Sequence, residues 1–397
     1  MKLTLDINST KIINLIREEG ALSRVEICEK LDIPQSTVTR LTNKLMKLNM
    51  LREGQQGHSS GGRRPVMLEV NENCFYALGI EMGRSAIKAA LINLNGDLLS
   101  FRMKVTYGDE SIQEVVSYVK EIVQDVKTQA DIHQTRVLGV GVGLPGPLDE
   151  TEDHRISPPN FYGEKDIPLK HLLEEALELP VTLDNDANVA TLAEKWFGEG
   201  VGYKDFTYVM TDIGIGCGLM INGSLYRGLQ GEAGELGHMS IAFPGELCHC
   251  GNYGCLETLS SIPAIERTYQ KMLNYESGSN EQNEENTFEN ILKEAESGSA
   301  LAQKVVDQAA QHLGVGIANL INLFAPHKVI IGGTFSQVNA FTFDKIRSTA
   351  LSRVIGKRVK DIPIVKSKID EAVVLGAGAL VINQEFSLTE GSKSSQV

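Results

Sequence analysis

Residues 75–105, FYALGIEMGRSAIKAALINLNGDLLSFRMKV, and residues 206–228, FTYVMTDIGIGCGLMINGSLYRG, follow one plan: strand, glycine-bearing turn, strand, Asn-Gly turn, strand. Asn-Gly between apolar runs is a strong hairpin signal, because both residues accept the positive φ angles of a tight turn. Each copy is followed by helical patterns that alternate with short apolar strands such as VLGVGVGL, PVTLD and KVIIGG. Strands alternating with helices specify an α/β architecture, and the duplication specifies two similar lobes around a cleft.

The first seventy residues obey a different rule. Three helical patterns, NSTKIINLIREE, SRVEICEKL and PQSTVTRLTNKLMKLNM, follow one another, with only DIP between the second and third. Ser23 and Glu26 have capping-box spacing, and Pro34 suits a first helical turn. This is a helix-turn-helix. Val38, Leu41, Leu45 and Leu48 recur at three- and four-residue steps and are expected inside. Gln35, Ser36, Thr37, Thr39 and Arg40 then face outward, where a recognition helix meets base edges and phosphates. LREGQQGHSSGGRRPVMLEV reads as strand, Gly/Ser tip and strand, a wing with Arg63 and Arg64 at its base, in reach of phosphates or a narrow minor groove. A protein-interaction module with a solvated basic face is the alternative for this segment.

Charge sharpens the contrast. The 397 residues carry a net −13, yet residues 1–70 hold 11 Lys/Arg against 8 Asp/Glu, a net of +3 that leaves −16 for the rest. A small basic module on an acidic body excludes a protein that coats nucleic acid along its length. With 42% hydrophobic and 22% charged residues, no apolar signal core and no long apolar run, the chain is expected to be a cytoplasmic protein of two or three domains. Residues 274–287 are expected as a surface loop, and 389–397 as a frayed tail.

Three of the six cysteines fall within CHCGNYGCLE, residues 248–257, shortly after GEAGELGHMS. His238, Cys248, Cys250 and Cys255 offer one imidazole and three thiolates, a set that suits tetrahedral Zn²⁺ and leaves no position open for a metal-bound water. Reduced cysteines without metal, or a redox pair, are the alternatives in a reducing compartment. Glu235 and Glu257 flank these residues. In TLDNDANVATLAEKW, Asp184, Asn185, Asp186 and Asn188 stand where a strand enters a helix, as candidate ligands of a cleft, with helix capping the alternative for Asp186 and Asn188. Gly146 and Asn160 are candidates for the same cleft. Carboxylates, amides and an imidazole together suit the hydroxyls of a sugar.

GVGLPGPLDE, LDNDAN, GEAGELGH and CHCGNYGCLE, in this order and spacing, resemble the ROK family of bacterial repressors and sugar kinases over nearly the whole chain, and SSGGRRP is most similar to its xylose-repressor branch. The resemblance implies an α/β fold: an N-terminal winged helix-turn-helix followed by a two-lobed actin-like (ribonuclease H-like) ATPase fold. It implies that His238, Cys248, Cys250 and Cys255 hold a structural Zn²⁺. It further implies that Asn160, Asn185, Asp186, Glu235, His238 and Glu257 contact sugar, with Asp186 matching the kinases' catalytic base. The domains are then expected at 1–70, at 71–187 completed by a C-terminal helix over 371–385, and at 188–370.

The phosphate loops depart from the kinase pattern. Where the kinases have Asp-x-Gly-Gly-Thr-Lys, this chain has EMGRSA, with Glu81, Arg84 and Ala86 at altered positions. Where they have Gly-Thr-Gly-x-Gly-Gly-Gly, it has DIGIGCG, so that Asp212 adds negative charge beside a phosphate path and Ile213 removes a hydroxyl. The expectation is therefore a non-enzymatic, sugar-responsive repressor that needs no ATP. As a homodimer or dimer of dimers it would bind palindromic half-sites of double-stranded operator DNA, with no membrane partner. The alternatives are an ATP-dependent hexose kinase that carries a DNA-binding domain, and a constitutive architectural DNA binder.

Overall fold

A computed structural model describes residues 5–56, 64–130, 136–146, 148, 167–278, 286–356 and 361–386. The chain divides into two compact units, one formed by residues 1–197 with 373–397 and the other by residues 198–372.

Unit 1 opens with helix α1 (Ile7–Glu19), strand β1 (Leu22–Ser23), helices α2 (Arg24–Leu31) and α3 (Gln35–Lys47), and strands β2 (Leu51–Gln56) and β3 (Val66–Val70). Asp6 caps α1 through the Ser9 N–H, and Ser23 with Glu26 closes the expected capping box on α2. The three strands pair in the order β1-β3-β2, the sheet of a winged helix-turn-helix. Ile12, Ile13, Ile16, Ile27, Val38, Leu41, Leu45 and Leu68 are buried in this domain. Leu48 is a correction: α3 ends at Lys47, so the last member of the apolar pattern sits at the helix cap and is 44% exposed.

The rest of unit 1 is built on β4 (Tyr76–Met82), β5 (Ala86–Asn93), β6 (Leu98–Val105), α4 (Ile112–Ala130), β7 (Val137–Leu144), α5 (Leu169–Leu177), β8 (Val181–Asn185) and α6 (Asp186–Phe197). Unit 2 contains β9 (Phe206–Thr211), β10 (Ile215–Ile221), β11 (Ser224–Tyr226), α7 (Glu257–Ser260), α8 (Ile262–Ser277), α9 (Phe288–Glu296), α10 (Ala300–Phe324), β12 (Val329–Gly333), α11 (Thr334–Gln337), α12 (Ala340–Ser352) and β13 (Ile364–Lys366). The two five-stranded sheets run β6-β5-β4-β7-β8 and β11-β10-β9-β12-β13. In each, an antiparallel meander of three strands continues into two parallel strands, so the sequence duplication is a duplication of topology. Each sheet packs against its own helices, with Leu78, Ile80, Val119 and Val140 buried in unit 1 and Val209, Leu313, Ile317 and Ile331 in unit 2.

Helix α13 (Ala372–Phe386) packs on unit 1. Glycine makes the approach possible. A Cβ at Gly141 of β7 would lie 1.8 Å from the Ala377 carbonyl oxygen, and one at Gly376 of α13 would lie 1.8 Å from that of Val189 in α6. The break between units falls after Phe197, ten residues past the expected 187, because Asp186–Phe197 is one unbroken helix. The stretch expected as a loop from 274 begins as the last turn of α8, which runs to Ser277. The wing tip at 57–63, the SPPNFYG stretch and the tail at 389–397 lie outside the described residues.

Candidate DNA-binding, metal-binding and polar sites

On α3 the side chains of Gln35, Ser36, Thr39 and Arg40 are exposed and Thr37 is half-buried, while Val38, Leu41 and Leu45 turn inward. Thr42, one step further along, is spent inside the domain: its hydroxyl accepts from Arg24 Nε at 3.0 Å and donates to the Thr39 carbonyl at 3.2 Å. The polar face of α3 is thus left to solvent by the packing of its other face. Arg64 is exposed at the base of the wing, and Arg63 lies outside the described residues.

In unit 2 a 3-10 turn, Leu236–His238, leads into an extended loop that folds back through two isolated bridges, Ser240 with Cys255 and Leu247 with Tyr253. The return requires glycine at 254, where φ is +69° and a Cβ would meet the Ala242 carbonyl oxygen. This fold brings one ligand atom from each of His238, Cys248, Cys250 and Cys255 within 4.8 Å of the others. His238 Nδ1 is 3.6 Å from Cys248 Sγ, and Cys250 Sγ is 3.8 Å from Cys255 Sγ. One imidazole and three thiols in a cluster this tight fit the donor set of a four-coordinate metal, and all six cysteines are free thiols. Burial pushes the Cys255 thiol up to about 12 and raises Cys248 as well. A metal loading this cluster would release those protons.

The cluster carries a polar flank. His238 Nε2 lies 3.8 Å from Glu235, on the ring edge opposite the cysteines. Glu257, at the start of α7, accepts the Ile215 N–H at 3.1 Å on one oxygen and faces His249 Nδ1 at 3.2 Å with the other. His249 packs edge-on against His238 and forms a second close group with His238 and Glu257. Sequence reasoning missed His249, whose signal was its place between Cys248 and Cys250.

In unit 1 the carboxyl ends of β7 and β8 support the acid and amide turn. Asp184 is buried and accepts Asn188 Nδ2 and the Asn185 N–H, both at 2.8 Å. The Asn185 side chain caps α6, accepting the N–H of Ala187 at 3.0 Å and of Asn188 at 3.4 Å. Asp186 opens α6, half-buried, with one oxygen 2.8 Å from the Ala187 N–H. Gly146 lies beside this turn, and a Cβ there would sit 2.9 Å from Asn185 Nδ2. The strand-to-helix change itself thus holds these groups. Asn160 lies outside the described residues.

At the two hairpin turns, Glu81 pairs with Lys88 across β4 and β5 at 3.3 Å, and the Asp212 N–H closes its turn on the Gly214 carbonyl at 2.9 Å. Ile213 is 43% exposed.

Residues 77–384 match the ROK family model, and residues 5–52 match that of winged helix-turn-helix DNA-binding domains. The chain belongs to the ROK family. Among ROK relatives it is 32% identical to the xylose repressor of Caldicellulosiruptor bescii over 395 residues, 98% of each chain. A solved ROK family transcriptional regulator, a homolog of the Escherichia coli MLC protein, matches with a TM-score of 0.79 and 28% identity over 96% of each chain. A ROK glucokinase from Streptomyces griseus, solved with glucose and AMPPNP, matches with a TM-score of 0.68 and 27% identity, covering 77% of this chain and 98% of the kinase. The ROK body is thus shared with kinases, and the winged helix-turn-helix precedes it here as an additional domain.

Proposed function

We propose that this ROK protein is a sugar-responsive transcriptional repressor without kinase activity. One observation carries the reading: a winged helix-turn-helix with an exposed polar face on α3 is built into the same compact unit as the acid and amide turn at Asp184–Asp186. Gln35, Ser36, Thr37, Thr39, Arg40, Arg63 and Arg64 contact double-stranded operator DNA, and two copies of the chain read palindromic half-sites. Asn160, Asn185, Asp186, Glu235, His238 and Glu257 supply hydrogen bonds to sugar hydroxyls. Zn²⁺ bound by His238, Cys248, Cys250 and Cys255 is structural and stiffens the loop that carries this polar flank.

The repressor reading is supported over the kinase by charge. Asp212 introduces a carboxylate, Arg84 replaces a glycine, Ala86 a lysine and Ile213 a hydroxyl residue, where nucleotide phosphates need glycine backbone and donors. Regulation is linkage: sugar favours one arrangement of the protein, and operator affinity changes by a coupling of about 1–3 kcal/mol, or ~5- to 150-fold. The likeness to a xylose repressor makes D-xylose the first effector to try.

A thermal-shift series with D-xylose, D-glucose and N-acetyl-D-glucosamine, with and without Mg-ATP, combined with titration of selected duplex DNA, tests this reading. A sugar that raises the melting temperature alone and changes DNA affinity supports it. Sugar-dependent ATP turnover would overturn it in favour of a kinase.

A further inference from the structure

Two side chains of α1 fasten the winged domain to the rest of unit 1, and both use the same chemistry. Asn14 Nδ2 donates to the carbonyl of Phe386, the last residue of α13, at 2.8 Å. Arg17 Nη1 donates to the carbonyl of Trp196, in the last turn of α6, at 3.1 Å. The final carbonyls of a helix lack intrahelical partners and form the negative end of its dipole, so a donor is favoured there and a cation most of all. The Arg17 guanidinium also lies over the Trp196 ring, 3.8 Å from its centroid. Residues 14 and 17 are one turn apart and share a face of α1, while Ile12, Ile13 and Ile16 are buried in the winged domain.

The two helix ends that α1 touches are tied to each other. Asn383 Oδ1 accepts from Lys195 Nζ and from Trp196 Nε1, each at 3.2 Å. Further back, the α13 backbone at Gly376 lies directly on α6 at Val189. A shift of α6 therefore moves α13 with it. At its other end α6 starts in the acid and amide turn, capped by Asn185, so one rod about 18 Å long joins that turn to Arg17.

We propose that Asn14 and Arg17 are the positioning residues of the sugar response: occupancy of the Asp184–Asp186 turn shifts α6 together with α13, and α1 senses the shift at the two helix ends and transmits it to the α3 it packs on. This rests on the function proposed above. The fastening is suited to release. Bonds of 2.8 and 3.1 Å leave hydrogen-bonding range after a displacement of about 1 Å. Arg17 Nε and Asn14 Oδ1 are buried without a hydrogen-bond partner, which offsets part of what the contacts contribute. Burial also draws Arg17 down to about 10, and Lys195 is drawn down to about 8 by burial and then by Arg17 itself, against the pull of Glu18 in both cases. Two crowded cations make a junction that a modest ligand energy can open.

The test uses the full-length chain, the tightest duplex that the wild type selects from a randomised pool, and whichever of D-xylose, D-glucose and N-acetyl-D-glucosamine most stabilises the wild type. Duplex Kd is measured with and without that sugar for wild type, Arg17→Ala and Arg17→Lys, and sugar affinity is measured separately. The wild-type ratio is expected within ~5- to 150-fold. In Arg17→Ala it should fall toward one while sugar affinity stays within about twofold. Arg17→Lys should be intermediate, since it keeps the charge and loses the planar stack. If Arg17→Ala fails to fold, Asn14→Ala, which removes one neutral donor, carries the same expectation. A ratio unchanged in variants that bind both ligands overturns the inference alone. A wild type that no sugar stabilises overturns the proposed function first, and the inference with it.

Discussion

Protonation of His312 would put a charge on α10 at a ring whose Nδ1 is buried and has no partner. Burial holds its pKa below the usual 6.5, against a backbone contact from Leu259 that pulls the other way. Between that lowered value and about 6.5 the unfolded chain binds a proton that the folded chain refuses, so stability is lost as pH falls through this window and is untouched by the group above it. The urea midpoint of the wild type should therefore drop more steeply on going from about pH 7 to pH 5 than that of His312→Leu, whose slope lacks this contribution. Equal slopes would remove the assignment. The acid and amide turn also resolves at this scale. Sequence left Asp186 and Asn188 open between capping and binding; in the structure it is Asn185 that caps α6, and Asn188 is committed to buried Asp184.

The paired hairpins were legible because period-two alternation and Asn-Gly act locally, and both survive as antiparallel meanders. Helix ends were read less well: the heptad-like run in α3 said nothing about where its last turn stops, so Leu48 was placed inside and lies outside. What no local pattern carries is which element meets which. Gly141 looked like one small residue in an apolar strand, yet it is where α13 crosses β7 at backbone contact. Gly141→Ala should thus cost about 1–3 kcal/mol as overpacking against a carbonyl that has no rotamer to change. A urea titration in which this variant matches wild type would show that the crossing can open at no cost. Asn14 and Arg17 were equally silent: within NLIREE they read as the polar side of an amphipathic helix, and their acceptors lie hundreds of positions away for Asn14 and nearly two hundred for Arg17.

Across the whole molecule, sequence spacing brought the cysteines and His238 together before the fold did, because all four candidate ligands fall within one short stretch. That loop buries little of its own apolar surface: Phe243, Leu247 and Tyr253 are exposed. Metal binding would therefore supply order that packing does not. Elemental analysis should return about one zinc per chain, and Cys255→Ser should lose it, with a stability loss of about 2–3 kcal/mol that added chelator reproduces in the wild type. A fully loaded Cys255→Ser protein would exclude this ligand set. The return of α13 carries a different consequence, one of timing. During synthesis the DNA-binding head and the strands of the first sheet leave the ribosome early, but the helix that covers β4 and β7 and offers Phe386 to Asn14 follows only after the whole of unit 2, residues 198–372. A ribosome that stalls before α13 has already made Trp196 but not Phe386, so the DNA-binding head it carries holds one of its two fastenings and lacks the other.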